Sequence, residues 1–384
     1  MKKKIVHIIS NLSIGGAQLL MFDILSNIQK EDDIDITLIT IDSGFYIEKF
    51  KKAGIKVIDI KSKGLVNPSI FFRLKKILKE IQPDIVHTHL LKADFYGRLA
   101  AKKIKIPFIF STCHNDSTVH TSSGLSGKNI FDKIDNWVIK DTNSYIVAIS
   151  NKVREYLIQR AGDEIANRVK VIYNGVDIKK EEYILNKEEI KYFRASLGFG
   201  ERDFIISVVG RLEEQKGHLR FLEAVKELIP ELKLKIVFVG EGSRRDAIQN
   251  FIDVNQLSEY VVLAGFQPET QKYIEIADLV IVPSLWEGFG IVVCEGMIKN
   301  KIVLASNVGG IPEIIDDGVN GFLYNINDAN QLKSKIIYIR ENMESLDNIK
   351  FAAKEKIKLK FDIIKNSTEY KNLYLTCLAN KHTD

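Results

Sequence analysis

Leu279-Val280-Ile281-Val282-Pro283-Ser284-Leu285-Trp286-Glu287-Gly288-Phe289-Gly290-Ile291-Val292-Val293-Cys294-Glu295 runs from an apolar, β-branched stretch through a Pro-Ser and a Gly-Phe-Gly turn into a second apolar stretch. This order reads as a buried strand, an edge loop and the opening of a helix. Gly288 and Gly290 flank Phe289 at the helix start, where first-turn N–H groups stay open to an oxygen-rich ligand. Glu295 lies about one turn inside that helix. A carboxylate there accepts from two adjacent hydroxyls, or is an exposed helix Glu; periodicity leaves both open.

The same alternation extends in both directions. Towards the N-terminus the pattern predicts strands at 5–9, 35–41, 56–60, 85–87, 107–111 and 146–149, with amphipathic helices at 17–28, 70–81 and 92–103 between them. It restarts after about 177, with strands at 204–209, 235–239, 260–263, 279–282 and 302–305 and helices at 216–229, 243–254, 269–276 and 290–299. Helix then predominates, at 329–340 and 361–378. Strands alternating with helices of this length build parallel sheets through right-handed crossovers. The expected fold class is therefore α/β, with two Rossmann-like doubly wound domains. The polar stretch 177–191 is the expected joint. The domain boundaries are set at 1–176, 177–358 and a helical segment 359–384.

Composition agrees. The chain has 384 residues, 45% apolar and 27% charged, which suits about two globular domains. Disorder, collagen and coiled-coil arrays are excluded. No run of about 18 apolar residues offers a membrane-crossing helix. Met1-Lys2-Lys3-Lys4 followed by Ile5-Val6-His7 imitates a signal peptide, but the apolar part is too short and contains His7, so it reads as a first strand. Cys113, Cys294 and Cys377 lie far apart and read as buried small hydrophobes of a reducing, cytoplasmic chain. Net charge is +5, unevenly spread: residues 1–180 carry 29 Lys and Arg against 19 Asp and Glu, the remainder 26 against 31. The basic half is either solvated surface or meets something anionic, a membrane face or a phosphate-bearing acceptor. Nucleic acid is not expected, because no dense basic stripe with interleaved aromatics occurs.

In such sheets the loops at the carboxyl ends of the strands bind ligands. After the first strand, Gly15-Gly16-Ala17-Gln18 opens a helix and suits an anion, though a tight turn explains it equally. It is not G-x-G-x-x-G, so a dinucleotide-dependent dehydrogenase is not expected. After 204–209, Gly210-Arg211-Leu212-Glu213-Glu214-Gln215-Lys216-Gly217 places Arg and Lys before a helix, which suits a diphosphate. Gly240-Glu241-Gly242 repeats a glycine turn into a helix. His87-x-His89, His114 and His120 are the histidines a metal could use, but no H-E-x-x-H and no cysteine partner at zinc spacing accompanies them. The D-x-D pattern of Asp33 and Asp35 precedes a strand and reads as solvated surface. No G-x-S-x-G elbow is present.

Taken together, these segments resemble the family 4 retaining glycosyltransferases, which have the two-domain GT-B fold. Glu287 and Glu295 sit in P-S-x-x-E-G-F-G-I-V-x-x-E. Eight further blocks follow in order: Gly15–Gln18, Pro83–His89, Ser111–His114, Val171–Asp177, Val209–Leu212 with Lys216-Gly217, Val239–Gly242, Gly309–Glu313 and Asp317–Gly321. The resemblance spans residue 5 to about 374. Asn300 and Ile302 depart from it, standing where the family has Gly and Pro; Asn can still cap a helix in the left-handed conformation.

The resemblance implies two domains facing across a cleft, with the C-terminal helix crossing back to the N-terminal, acceptor-binding domain. It implies that Arg211 and Lys216 hold the donor diphosphate. Glu295 would bind ribose, and Glu287 with the N–H groups of Phe289 and Gly290 would grip the donor sugar. The Gly15–Gly16 loop would close over the phosphates, and His114 would touch the transferred sugar. Gly210 and Gly240 complete the donor set. No metal and no other cofactor is expected, because two cations replace a metal-holding D-x-D. The implied activity is sugar transfer from a nucleotide sugar, UDP-linked as is commonest in the family, to a saccharide or lipid-linked saccharide in cell-surface polysaccharide or glycolipid synthesis, with retention. A nucleotide-sugar epimerase and a non-catalytic nucleotide-sugar-binding subunit stay as alternatives. The expected place is the cytoplasm, with peripheral contact to the anionic inner face of the membrane. For that contact the candidates are Lys49, Lys51, Lys52, Lys61, Lys63, Lys79 and the segment 70–78, which mixes Arg73, Lys75 and Lys76 with apolar residues at helical spacing.

Overall fold

A computed structural model describes residues 2–30, 33–62, 64, 66–115, 124–181 and 185–380, with backbone alone at 124–131 and 181. His120 and Lys63 lie outside the described residues. The chain forms two compact units: residues up to Gly175 together with those from Ile363 onward, and Val176–Asp362.

The first unit holds seven strands: β1 (Lys3–Asn11), β2 (Ile34–Asp42), β3 (Lys56–Asp59), β4 (Ile85–His89), β5 (Phe108–Cys113), β6 (Tyr145–Ala148) and β7 (Val169–Val171). Their order is β3-β2-β1-β4-β5-β6-β7, and every pairing is parallel. Strands buried on both faces need continuous apolar runs. Ile5, Val6, Ile8 and Ile9 of β1 are all buried, as are Ile36, Leu38, Ile39 and Ile41 of β2. Ile70, Leu74 and Leu78 turn one side of the helix Ser69–Ile81 into this core, which leaves Phe72, Arg73, Lys76 and Lys79 outside. The apolar stripe foreseen there is thus core, and only its flank is surface.

The helix Ile363–Asn380 belongs to this unit and packs on the helix Gly16–Ile28. Tyr374 is fully buried, and its hydroxyl shares a 2.7 Å hydrogen bond with His87 Nδ1.

The second unit holds β8 (Ile205–Val209), β9 (Lys235–Val239), β10 (Val261–Gly265), β11 (Leu279–Val282), β12 (Ile302–Ser306) and β13 (Phe322–Tyr324), in the order β10-β9-β8-β11-β12-β13, again all parallel. Ile206, Phe238, Leu279, Ile281, Ile302 and Leu304 form its centre, with Phe221, Leu222, Ile248 and Ile336 packed from the helices. In both sheets the strand order reverses beside the first strand of the unit, between β1 and β4 and between β8 and β11. Such reversals open a crevice at the carboxyl ends of the strands.

Three local features differ from the sequence expectation. β7 and β13, three residues each, were not foreseen. The helix expected over 216–229 is broken into a 3₁₀ turn Glu214–Lys216 and helices His218–Val225 and Leu228–Leu232. Gly217 causes the first break: at φ +67 it leaves the helical region, so Lys216 stands before the helix and not in it. The polar stretch expected as a joint lies inside the second unit and carries the helices Ile178–Glu181 and Lys187–Ser196, the latter opened by a reciprocal capping box of Asn186 and Glu189.

Candidate active site

The loops after β8 and β11 meet at the reversal point of the second sheet. Leu285 N–H donates to the Gln215 carbonyl (2.7 Å), and Gln215 Nε2 donates to the Trp286 carbonyl (3.1 Å). Gly217 makes this approach possible, since a Cβ there would stand 2.0 Å from the Pro283 oxygen. Behind Glu287 the chain after β12 closes in, and Gly310 N–H donates to the Glu287 carbonyl (3.0 Å). A Cβ on Gly309, which sits at φ +56, would lie 1.7 Å from that same oxygen. Backbone fit alone therefore calls for the glycines at 217 and 309.

The result is a fixed pair. Lys216 Nζ donates to Glu287 Oε2 at 2.5 Å, and Ser284 Oγ donates to the same oxygen at 3.1 Å. Glu287 is nearly buried, whereas Lys216 keeps about a fifth of its side chain in solvent. Arg211 follows Gly210 at the end of β8; it is exposed, and its guanidinium forms no hydrogen bond or ion pair among the described residues. Its neighbour Glu213 is held below the usual carboxylate range by hydrogen bonds from Ser243 (Oγ at 2.6 Å, N–H at 3.0 Å). Gly210 N–H donates to Val239 O, and Gly240 N–H to Gly265 O, both at 2.9 Å. These bonds line the edge loops up as one rim.

Gly290 begins the helix Ile291–Ile298 at φ +102 without a side-chain cap, and Glu295 is half-buried on that helix. The Phe289 side chain is buried and packs edge-on against Phe361 at 5.4 Å. Its ring is a core anchor. Asn300 ends the helix at φ +59, in the left-handed conformation.

In the first unit, Gly15 and Gly16 follow β1. Neither has a left-handed φ, and a Cβ on Gly16 would meet nothing within 4 Å. The loop is folded on Asn11, whose Oδ1 accepts from Ser13 N–H (3.1 Å) and Gln18 Nε2 (3.2 Å). His114 directly follows β5, half-buried, and burial lowers its pKa to about 4. His89 is its ring neighbour at 5.8 Å.

Sequence reasoning did not foresee what lies behind His114. His7, His87 and His89 form a buried stack at the β1/β4 reversal, with His87 and His89 ring centroids 4.5 Å apart and nearly parallel. Burial lowers the pKa of all three, that of His7 to about 3. Their nitrogens are close enough for a metal to be considered. Stacked rings, however, do not aim their in-plane lone pairs at one point. Both nitrogens of His87 are already bonded, to Tyr374 (2.7 Å) and Thr112 (2.8 Å). The stack is better described as packed neutral imidazoles. Ser284 was also missed; its spacing three residues before Glu287 was the available signal.

Among the remaining expectations, Asp33 and Asp35 are exposed at the start of β2. All three cysteines are free, but only Cys294 is buried; Cys113 and Cys377 are half-buried, so the expectation of three core thiols holds for one. Among the described residues no helix is long and apolar enough to cross a membrane.

Comparison with known proteins gives the family. Residues 189–356 match the model of glycosyl transferases group 1, and residues 14–180 that of glycosyltransferase family 4. The UDP-Gal:alpha-D-GlcNAc-diphosphoundecaprenol alpha-1,3-galactosyltransferase of Escherichia coli is 27% identical over 99% of this chain and 98% of its own. EpsD of Bacillus subtilis, a chain provisionally named a glycosyltransferase, is 30% identical over 68% of this chain and 69% of its own. HepE of Anabaena, solved with UDP and glucose, superposes with a TM-score of 0.84 at 23% identity, over 97% of this chain and 99% of that one. The chain belongs to the family 4, group 1 glycosyltransferases, with two Rossmann-like domains of the GT-B type.

Proposed function

We propose that the chain transfers a sugar from a UDP-sugar to a lipid-linked saccharide, with retention and without a metal. The carrying observation is the Lys216–Glu287 pair beside the unpaired Arg211 at the reversal point of the second sheet. Departure of a nucleoside diphosphate builds negative charge on the phosphates and positive charge on the sugar. Arg211 and Lys216 are placed to neutralise the first, and Glu287, oriented by Ser284, to hold sugar hydroxyls next to the second. Glu295 on the adjoining helix suits the nucleotide ribose. With no carboxylate nucleophile proposed, the acceptor hydroxyl attacks from the leaving-group face and gives its proton to the departing phosphate. UDP and a lipid-linked acceptor are favoured because the Escherichia coli relative, similar over nearly its whole length, is named for both.

The test is thermal shift against a panel of nucleotide sugars, followed by product analysis. A donor at about 100 times its Kd should stabilise by about 2.7 kcal/mol. Full activity should persist in EDTA; loss in chelator with recovery on adding magnesium or manganese would refute the metal-free reading. An inverted anomeric product would refute retention. The outward Phe72, Arg73, Lys76 and Lys79 further support peripheral binding to anionic vesicles, lost at high salt.

A further inference from the structure

The first unit carries a groove that the transfer chemistry does not use. Val66, Leu91, Phe95, Tyr96, Ile134 and Val138 line a volume of about 230 Å³ beside the helix Leu91–Lys103. The two charged residues on its wall are already paired. Lys92 donates to both carboxylate oxygens of Asp42 at 2.7 Å, and Asp135 receives Arg98 and Arg160. At Leu91 and Asp135 the groove adjoins a smaller pocket of about 90 Å³ of mixed character, to which His114, Asn115, Ser111, Asp94 and Arg98 bring polar groups. Arg98 is almost fully buried, yet its Nη1 has no hydrogen-bond partner among the described residues. Asp94 accepts from Thr88 and Ser111 hydroxyls at 2.6 Å, and burial raises its pKa to about 6.

We infer that this groove seats part of the hydrocarbon chain of a lipid-linked acceptor, with the acceptor's polar head directed to the pocket beside His114. The inference rests on the glycosyltransferase reading and specifies its acceptor. A free saccharide does not suit the groove, because apolar walls leave hydroxyls without partners. A protein helix, about 10–12 Å across, does not suit it either. The volume is below the roughly 300–1,000 Å³ of pockets that enclose a whole drug-sized ligand, so it takes a segment of chain. The rim fits an anionic amphiphile. Val66, on its wall, is 84% exposed. The helix Ser69–Ile81, packed on Leu91–Lys103, presents Phe72, Arg73 and Lys76 outward. Asn67 N–H donates to Tyr96 Oη at 2.8 Å, which fixes the mouth next to that helix.

The probe is farnesyl diphosphate, an isoprenoid diphosphate, titrated calorimetrically into the full chain below its micelle concentration. Inorganic diphosphate is the control. The chain should bind farnesyl diphosphate at least tenfold more tightly than inorganic diphosphate. Val66→Asp with Ile134→Glu, both at accessible positions, should weaken the probe at least tenfold and leave UDP binding unchanged. Photo-crosslinking with a diazirine farnesyl diphosphate needs no variant, and should label peptides containing Leu91–Tyr96 or Ile134–Val138. Equal affinity for the two diphosphates, equal affinity in both chains, or labelling confined to other peptides would overturn the inference. Failure of the glycosyltransferase reading would look different: no nucleotide sugar would stabilise the chain, whatever the groove bound.

Discussion

At the scale of single residues the second unit makes its commitments through Lys216, Glu287, Arg211 and Glu295. Lys216 and Arg211 stand on edge loops, outside the core. Arg211→Ala and Lys216→Ala should each lower kcat by about 10²–10³ while the melting temperature stays within a few degrees. A loss of stability that outweighs the loss of rate would make them structural. Lys216→Ala carries a further signature, because it leaves the nearly buried Glu287 with Ser284 as its remaining bonded partner. Glu295→Gln should chiefly weaken UDP binding, and Glu287→Gln chiefly the sugar step. Isothermal titration with UDP against turnover separates them, and equal losses of UDP affinity would end that division. The sequence singled out Arg211, Lys216 and Glu287 because loops after strands carry ligands and their residue types suit phosphate and hydroxyl, and the structure sets all three on such loops; the role of Glu295 comes from the family resemblance. Ser284 was overlooked although its spacing to Glu287 was there to read. The histidine stack was not legible, because it depends on which strands lie side by side, and β1 neighbours β4 across more than seventy intervening residues.

At the scale of elements, strand and helix identities were readable wherever apolar periodicity was long. The failures have local causes. Three-residue strands such as β7 and β13 carry no period, and a single left-handed glycine at 217 divides what periodicity alone would join. Asn300 was correctly readable as a cap, from the tolerance of Asn for φ > 0. It is exposed, so its replacement tests conformation without disturbing packing. Asn300→Gly should leave stability equal or slightly raised. Asn300→Val should cost about 1–2 kcal/mol, read by urea denaturation. Tyr374→Phe should cost about 1–3 kcal/mol by leaving buried His87 Nδ1 without a partner.

At the scale of the whole molecule, the buried histidines tie stability to pH. Their folded-state pKa values are lowered, so they stay neutral when folded and take up protons when unfolded. The stability they permit is present above about pH 6.5 and falls as pH drops towards the folded-state values. For His7, with a folded pKa of about 3, the loss at pH 5 is about 2 kcal/mol. Asp94 acts in the opposite sense: its pKa is raised to about 6, so the folded chain takes up that proton first and regains about 1 kcal/mol at pH 5. The net expectation is a melting temperature that declines between pH 7 and pH 5, and His7→Gln should flatten the decline. An unchanged slope in that variant would remove His7 from the account.

The helix Ile363–Asn380 lies at the far end of the chain yet completes the first unit, burying Tyr370, Tyr374 and Leu378 there. This has a consequence for synthesis on the ribosome. Residues 176–362 are contiguous and can close their core while translation continues, whereas the unit begun first must wait for the last helix to emerge. At about 5–20 residues per second that wait exceeds ten seconds. In that interval the Tyr374-facing side of the histidine stack is uncovered. Premature termination before 363 should therefore release a chain whose later-made half is folded and whose earlier-made half is a substrate for chaperones and proteases. Limited proteolysis of a 1–362 truncation should cut within residues 1–175 and spare 176–362.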